Sequence, residues 1–401
     1  MHRETAPPAS RVAEVFRVFL GLGLTSFGGP IAHLGYFRTA FVERRGWMTD
    51  REYADLVALS QFLPGPASSQ VGFGVGLLRA GGWGAIAAFV AFTLPSAVLM
   101  VAVAFGATLL AGPIGAGLVA GLKVVAVAVV AQAVWGMART LTPDARRAGI
   151  AAAALVCAAL VSGSLGQILA IVVGVIGGLI LCRGATPQSG DLLRVAVSHR
   201  VGVASLILLA LILIGGPILV LATGNGGVAL FDIFVRAGAL VFGGGHVVLP
   251  LLQAGLVEPG WMTDADFLAG YAAAQALPGP LFSVAGYLGA IADIGPGGVA
   301  GGTIALIGIF LPGFLLLLGV LPFWNSFRRH AWAHAAMRGA NAAVVGILAA
   351  ALYSPVFTSA ITGVAEFCLA AVCFVLLVAF RFPPWVVVIA GATGGVLVAL
   401  L

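Results

Sequence analysis

Two breaks rich in glycine and proline, Phe27–Pro30 and Leu63–Pro66, lie among hydroxyl and amide side chains in a chain with few charges. A helix that starts at such a break presents unpaired backbone N–H groups and the positive end of its dipole. These groups hold anions, compact oxyanions above all. At the first break Gly28 and Gly29 would supply backbone donors, with Thr25 and Ser26 adding hydroxyls. At the second, Gly65 is preceded by Gln61, an amide that donates and accepts, and followed by Ser68 and Ser69. The pattern returns about 215 residues later, with Gly243, Gly244 and Gly245 at one break and Gln275, Gly279 and Ser283 at the other. His33 and His246 each follow a glycine break. Either one packs as a hydrogen-bonded histidine or titrates with a proton gradient.

Ionisable residues inside apolar segments are costly to hold and mark function by default. Lys123 stands near the middle of an apolar run, where it would offer positive charge to an anion pathway. A tertiary ion pair, with Asp55 as one partner, is the alternative. Aligning Gly121–Ala128 with Gly339–Gly346 sets Asn341 opposite Lys123, so the two halves are chemically unequal. Arg236 has Asp232 four residues earlier on the same helical face, which would neutralise it. Glu43, Glu52, Asp55 and Glu366 are the candidate proton carriers. The four cysteines (Cys157, Cys182, Cys368, Cys373) match no zinc or redox spacing, and no HExxH, Walker loop or GxSxG occurs. Neither a metal nor a cofactor is expected.

The elements that must position these groups are membrane helices. Of the 401 residues 61% are hydrophobic and 8% charged, against roughly 25% charged in soluble domains. The net charge of +6 sits in connections, where it reports topology and not a nucleic-acid surface. Full spans are predicted near 83–110, 114–138, 146–162, 165–182, 201–223, 299–322, 335–353, 361–380 and 384–401. The segments 12–26, 30–43, 52–62 and 67–80 are too short to cross about 30 Å of hydrocarbon. They read as pairs of re-entrant hairpins, with a single broken crossing helix as the alternative.

Charge placement favours the hairpins. With a cytosolic amino terminus, Arg38, Arg44, Arg45, Arg51 and Arg79 fall inside, as do Arg139, Arg146, Arg147, Arg183, Arg194 and Arg200. An odd number of spans then separates the blocks, so the second opens outward; its connection carries Glu258, Asp264 and Asp266 and no basic residue. Arg328, Arg329, Arg338 and Arg381 return inside. The expected fold is thus an all-α polytopic membrane protein whose homologous halves are inverted, with about nine full spans and four hairpins. Its divisions are a tail at 1–11, a first repeat at 12–183, a linker with an extra span at 184–223 and a second repeat at 224–401.

The ordered motifs FGGP, WMTD and QFLPGP at Phe27–Pro66, repeated as FGGG, WMTD and QALPGP at Phe242–Pro280, resemble those of the long-chain chromate ion transporter family. The resemblance covers nearly the whole chain. It implies a secondary transporter of the bacterial inner membrane that exports chromate and confers resistance, with proton coupling and a link to sulfate associated with the family. Gly28, Gly29, Gln61, Pro64, Gly65 and Pro66 occupy the family's first-half motifs; Gly243, Gly244, Gly245, Gln275, Pro278, Gly279 and Pro280 occupy the second. The residues themselves specify an oxyanion site, since chromate and sulfate are near-isosteric tetrahedral dianions. Two other readings stay open: uptake of sulfate or another oxyanion, and an enzyme acting on lipid phosphates. The expected partners are the oxyanion and the bilayer, and not nucleic acid; the oligomeric state is open, a homodimer being one option.

Overall fold

The computed structural model describes residues 8–27, 29–107, 113–161, 163–182, 197–241, 247–324 and 330–400. Within them the chain is helical, and five helices are long and apolar enough to cross a membrane: Ala67–Gly106, Gly115–Leu141, His199–Thr223, Gly298–Phe323 and Ala331–Ala360. The protein is a multi-pass membrane protein. Near the other expected spans lie shorter helices, α6 (Ala145–Leu160), α7 (Gly163–Leu181), α15 (Val364–Val378) and α16 (Pro384–Leu400). Arg146 and Arg147 lie in the first turn of α6 and can reach the interface by snorkelling, which lets a short helix match the bilayer.

The repeated motifs build the same local structure twice. Helix α1 (Pro8–Thr25) ends at the first break and α2 (Gly29–Arg38) starts from it. The two run antiparallel: Phe19 and Phe37, on opposite sides of the break, meet with ring centroids 5.7 Å apart. A π-helical turn, Thr39–Arg44, leads to the WMTD segment and α3 (Asp50–Phe62). The WMTD motif is a helix start. Thr49 accepts from the Glu52 N–H at 3.2 Å, while the Glu52 carboxylate accepts from the Thr49 N–H at 2.8 Å, a capping box. Its partner in the other half, Thr263, accepts from the Asp266 N–H at 3.1 Å at the start of α11 (Asp264–Ala276).

After the first LPGP turn, α4 (Ala67–Ala107) folds back on itself at Ala80 and Gly81, both of which leave helical geometry. Its arms touch backbone to backbone, so that a Cβ on Gly84 would lie 2.3 Å from the Gly76 carbonyl oxygen. In the second half α12 (Val284–Ile291) and α13 (Gly298–Val320) repeat this contact through Gly289 and Gly301. Likewise α1 packs on α4 where Gly23 meets the Phe92 carbonyl, and α9 (Gly226–Leu240) packs on α13 where Gly238 meets that of Ile309. Small residues at such crossings let helices approach closely when no hydrophobic driving force exists between them.

The remaining helices cross between halves. Helix α5 (Pro113–Leu141) lies along α16, with Gly117 and Gly121 against Gly391 and Gly395. Helix α14 (Ala331–Ala351) lies along α7, with Gly339 against Gly174 and Gly178. Helix α8 (His199–Thr223) sits at the rim; only 11% of its apolar window is buried, against 44–61% for the other four long helices. Helix α10 (Val248–Leu256) completes the second block, with Pro250 accepting a 2.8 Å hydrogen bond from Gln167 of α7.

Candidate functional site

Each LPGP turn docks on the opposite half, at the residue that precedes its FGG motif. The Gly65 N–H in the first LPGP turn donates to the Val241 carbonyl at 2.6 Å, beside the second FGG segment. The Gly279 N–H in the second LPGP turn donates to the Ser26 carbonyl at 2.9 Å, beside the first. Each turn also presses on a helix of the opposite half, one residue past a proline. A Cβ on Gly65 would lie 2.9 Å from the Gly313 Cα, and one on Gly279 would lie 2.8 Å from the Ser96 Oγ. Both turn glycines have positive φ, 124° at Gly65 and 96° at Gly279, which side-chain-bearing residues rarely adopt.

Polar side chains gather on the first-half side of this junction. His33 is fully buried; its Nε2 lies 3.2 Å from the Ser26 carbonyl and its Nδ1 3.4 Å from the Ser68 Oγ. A carbonyl only accepts, so Nε2 carries the proton and Nδ1 of the neutral ring accepts from Ser68. The Ser26 carbonyl thus receives both His33 and the Gly279 N–H of the other half. Gln70 donates through Nε2 to the Pro64 carbonyl at 3.0 Å and the Gly313 carbonyl at 2.9 Å. Its Oε1 is buried with no partner among the described residues, as are the Ser26 Oγ, Ser69 Oγ, Thr93 Oγ1 and Gln275 Nε2. Unpaired buried polar atoms are uncommon in native proteins and call for an explanation. These five lie on segments that meet at the junction; others, such as the Gln167 Oε1 and Asp232 Oδ1, lie elsewhere.

The second half answers with apolar groups. Phe282 and Val284 follow its LPGP turn where Ser68 and Gln70 follow the first, and Gly313 stands where the first half has Ser96. Val248 stands where the first half has His33. Phe314 stacks on Phe73 across the seam, with centroids 4.4 Å apart, and Phe310 packs at a tilt against Phe89 at 5.0 Å. Ser283 is buried and donates to the Pro280 carbonyl at 2.7 Å.

Several expected site residues lie elsewhere. Gln61 is exposed, since α3 ends with its polar face turned from the junction. Thr25 is exposed and donates to the Gly21 carbonyl of its own helix at 2.8 Å. Arg236 pairs with Asp232 at 2.8 Å and reaches the Leu213 carbonyl at 3.4 Å, so it faces α8. Glu43 pairs with Arg38, which also holds Asp50 at 2.8 Å, on the surface. Glu52 is used in its capping box, and Glu366 lies in the first turn of α15, where a carboxylate favours the helix dipole. Lys123 is half-buried on α5, two residues past the Gly121 contact, and makes no ion pair with Asp55 or any other described residue. The Asn341 Oδ1 on α14 is buried without a described partner. Gly29 takes positive φ (75°) at the head of α2, while Gly28, Gly243, Gly244, Gly245 and His246 lie outside the described residues.

Sequence reading missed Gln70, Thr93, Ser96 and Gly313. A signal was present: Leu94–Pro95 and Leu311–Pro312 repeat inside otherwise unbroken apolar helices, and each marks where the opposite LPGP turn docks. Replacing Gln70 with leucine is expected to remove its hydrogen bonds to the Pro64 and Gly313 carbonyls and to cost about 2 kcal/mol. Thermal unfolding of the detergent-solubilised protein checks this.

A model of the chromate transporter family matches residues 13–182 and again residues 228–396. The chain belongs to the chromate transporter family. It is 28% identical over 362 residues to a chromate transport protein of Pseudomonas aeruginosa, covering 86% of this chain and 82% of that one. It is 28% identical over 347 residues to a probable chromate transport protein of Synechococcus elongatus, covering 86% and 84%. An uncharacterized transporter of Methanocaldococcus jannaschii is 28% identical over 327 residues, covering 79% and 77%. No solved structure matches the chain. Membership places the chain among transporters and not enzymes, so the lipid-phosphate reading is set aside.

Proposed function

We propose that this protein is a secondary transporter that exports chromate across a bacterial inner membrane and so confers chromate resistance. The observation that carries the reading is the reciprocal docking of the two LPGP turns on Val241 and Ser26, the residues before the opposite FGG motifs, with buried hydroxyls and amides around it that have no described partner. Ser26, Ser69 and the backbone at the start of α4 would donate to the oxyanion, and Lys123 would balance its charge. The phenylalanine seam at Phe310 and Phe314 would form the dry counter-wall. Homologues named for chromate transport support the substrate.

The transport cycle we infer is alternating access between inverted halves. Three groups support hairpins that enter and leave on one side. Arg79, at the end of the second hairpin, pairs at 2.9 Å with Glu14 near the start of the first and lies 5.1 Å from the ring of Trp47, between the two. The reciprocal bonds support a two-fold relation, and the odd number of helical spans between the blocks supports inversion, with the amino terminus cytosolic. The nine-span count and the four divisions of the chain belong to the same proposal. Proton coupling fits His33, the buried titratable group of the cluster, better than the surface carboxylates.

Flux into vesicles tests this. Protein reconstituted with imposed proton and voltage gradients is expected to move labelled chromate, at a rate that follows the proton gradient. Sulfate carried at an equal or greater rate would turn the assignment to general oxyanion or sulfate uptake; flux of neither anion would reject the site. In cells lacking other exporters, expression is expected to lower chromate accumulation at low sulfate.

A further inference from the structure

A second basic site lies away from the interlocked breaks. A cavity of about 420 Å³ opens between the start of α6, the end of α7 and α14. Three guanidinium groups line it, Arg146 and Arg147 from the first family-matched segment and Arg338 from the second, against the single carboxylate of Asp144. That carboxylate is fully engaged: it caps α6 through the Arg147 N–H at 3.0 Å and takes the Arg147 guanidinium at 2.6 Å. Arg146 spends one N–H on the Leu181 carbonyl at 3.2 Å. Arg338 is exposed and has no hydrogen-bonding or ion-pair partner among the described residues.

Among the described residues two positive charges are therefore left uncompensated around an open cavity, with N–H forks suited to bidentate contact with oxyanions. The flank of α7 leading to it is apolar and exposed, at Ile176, Ile180 and Leu181. A headgroup held by the arginines would lay its acyl chain along that flank. We propose that this cavity binds a phosphate-type oxyanion group, carried by an anionic lipid or free in solution. Basic pockets between membrane helices take such headgroups. The occupant bridges α6 and α14 close to the Gly178–Gly339 contact, so binding stiffens the seam between the two halves.

The test uses the purified full-length chain in neutral detergent, titrated with short-chain phosphatidylglycerol, the matching phosphatidylcholine and inorganic phosphate. Phosphatidylglycerol is expected to raise the unfolding midpoint saturably and phosphatidylcholine is not. Arg338→Gln is expected to weaken the apparent affinity about tenfold, and Arg338→Lys to restore part of it. If inorganic phosphate saturates the same response, the free ion is the ligand; if only the lipid does, the headgroup is. A wild type without a saturable response to either anion, or one that matches Arg338→Gln, overturns the proposal. Arg146→Gln takes its place if Arg338→Gln does not purify folded.

Discussion

Gly65→Ala is expected to abolish anion flux and lower the stability of the purified protein, while Gly46→Ala leaves flux intact. Both glycines have positive φ, 124° and 58°, so backbone strain alone does not separate them. Their surroundings do. A methyl group at Gly46 meets nothing within 4 Å, whereas one at Gly65 would lie 2.9 Å from the Gly313 Cα and 2.9 Å from the Gln70 Nε2. Backbone on α13 cannot yield as a flexible side chain would. We expect about 3 kcal/mol at Gly65, the sum of a left-handed penalty and overpacking, against about 1 kcal/mol at Gly46. The turn must shift, and with it the 2.6 Å bond to Val241. Thermal unfolding alongside vesicle flux checks the pair. Equal flux in the two variants would mean that the reciprocal docking is not needed for transport.

Lys123→Gln carries the second large effect. A half-buried ammonium without a described partner has its charge available for a ligand, and charge-assisted hydrogen bonds contribute about 2 kcal/mol. That corresponds to about thirtyfold weaker anion affinity, measured by flux competition or by direct binding to the purified protein. Arg236→Gln is the comparison. Its guanidinium already pairs with Asp232 beside α8, so its loss is expected to destabilise the protein while leaving affinity nearly unchanged. If Arg236→Gln loses affinity and Lys123→Gln does not, the positive charge at the site has been assigned to the wrong half.

Period and breaker residues made the helices legible. The short segments around Phe27–Pro30 and Leu63–Pro66 were readable because glycine and proline are clustered there, and a cluster ends a helix where single copies such as Pro95 and Pro312 do not. The capping role of WMTD was written in the Thr49–Glu52 spacing. The junction was harder to foresee. Gln70 and Ser96 sit in apolar helices, and nothing in a one-dimensional string says that residue 65 will touch residue 313. For Arg236 the string already carried the partner: Asp232 stands four residues earlier, and the two pair beside α8. Of the candidate proton carriers, Glu43 and Glu52 lie close to helix ends, where an ion pair and a capping box engage them.

The exchange of LPGP turns has one more consequence. Two identical chains meeting this way would form an isologous interface, in which every change in one copy is imposed on the other. Here both copies lie in one polypeptide, so that constraint is lifted. One face of the junction carries Gln70, Ser96 and His33, while the other carries Val284, Gly313 and Val248. A self-complementary contact has become a two-sided one, and each side is free to specialise.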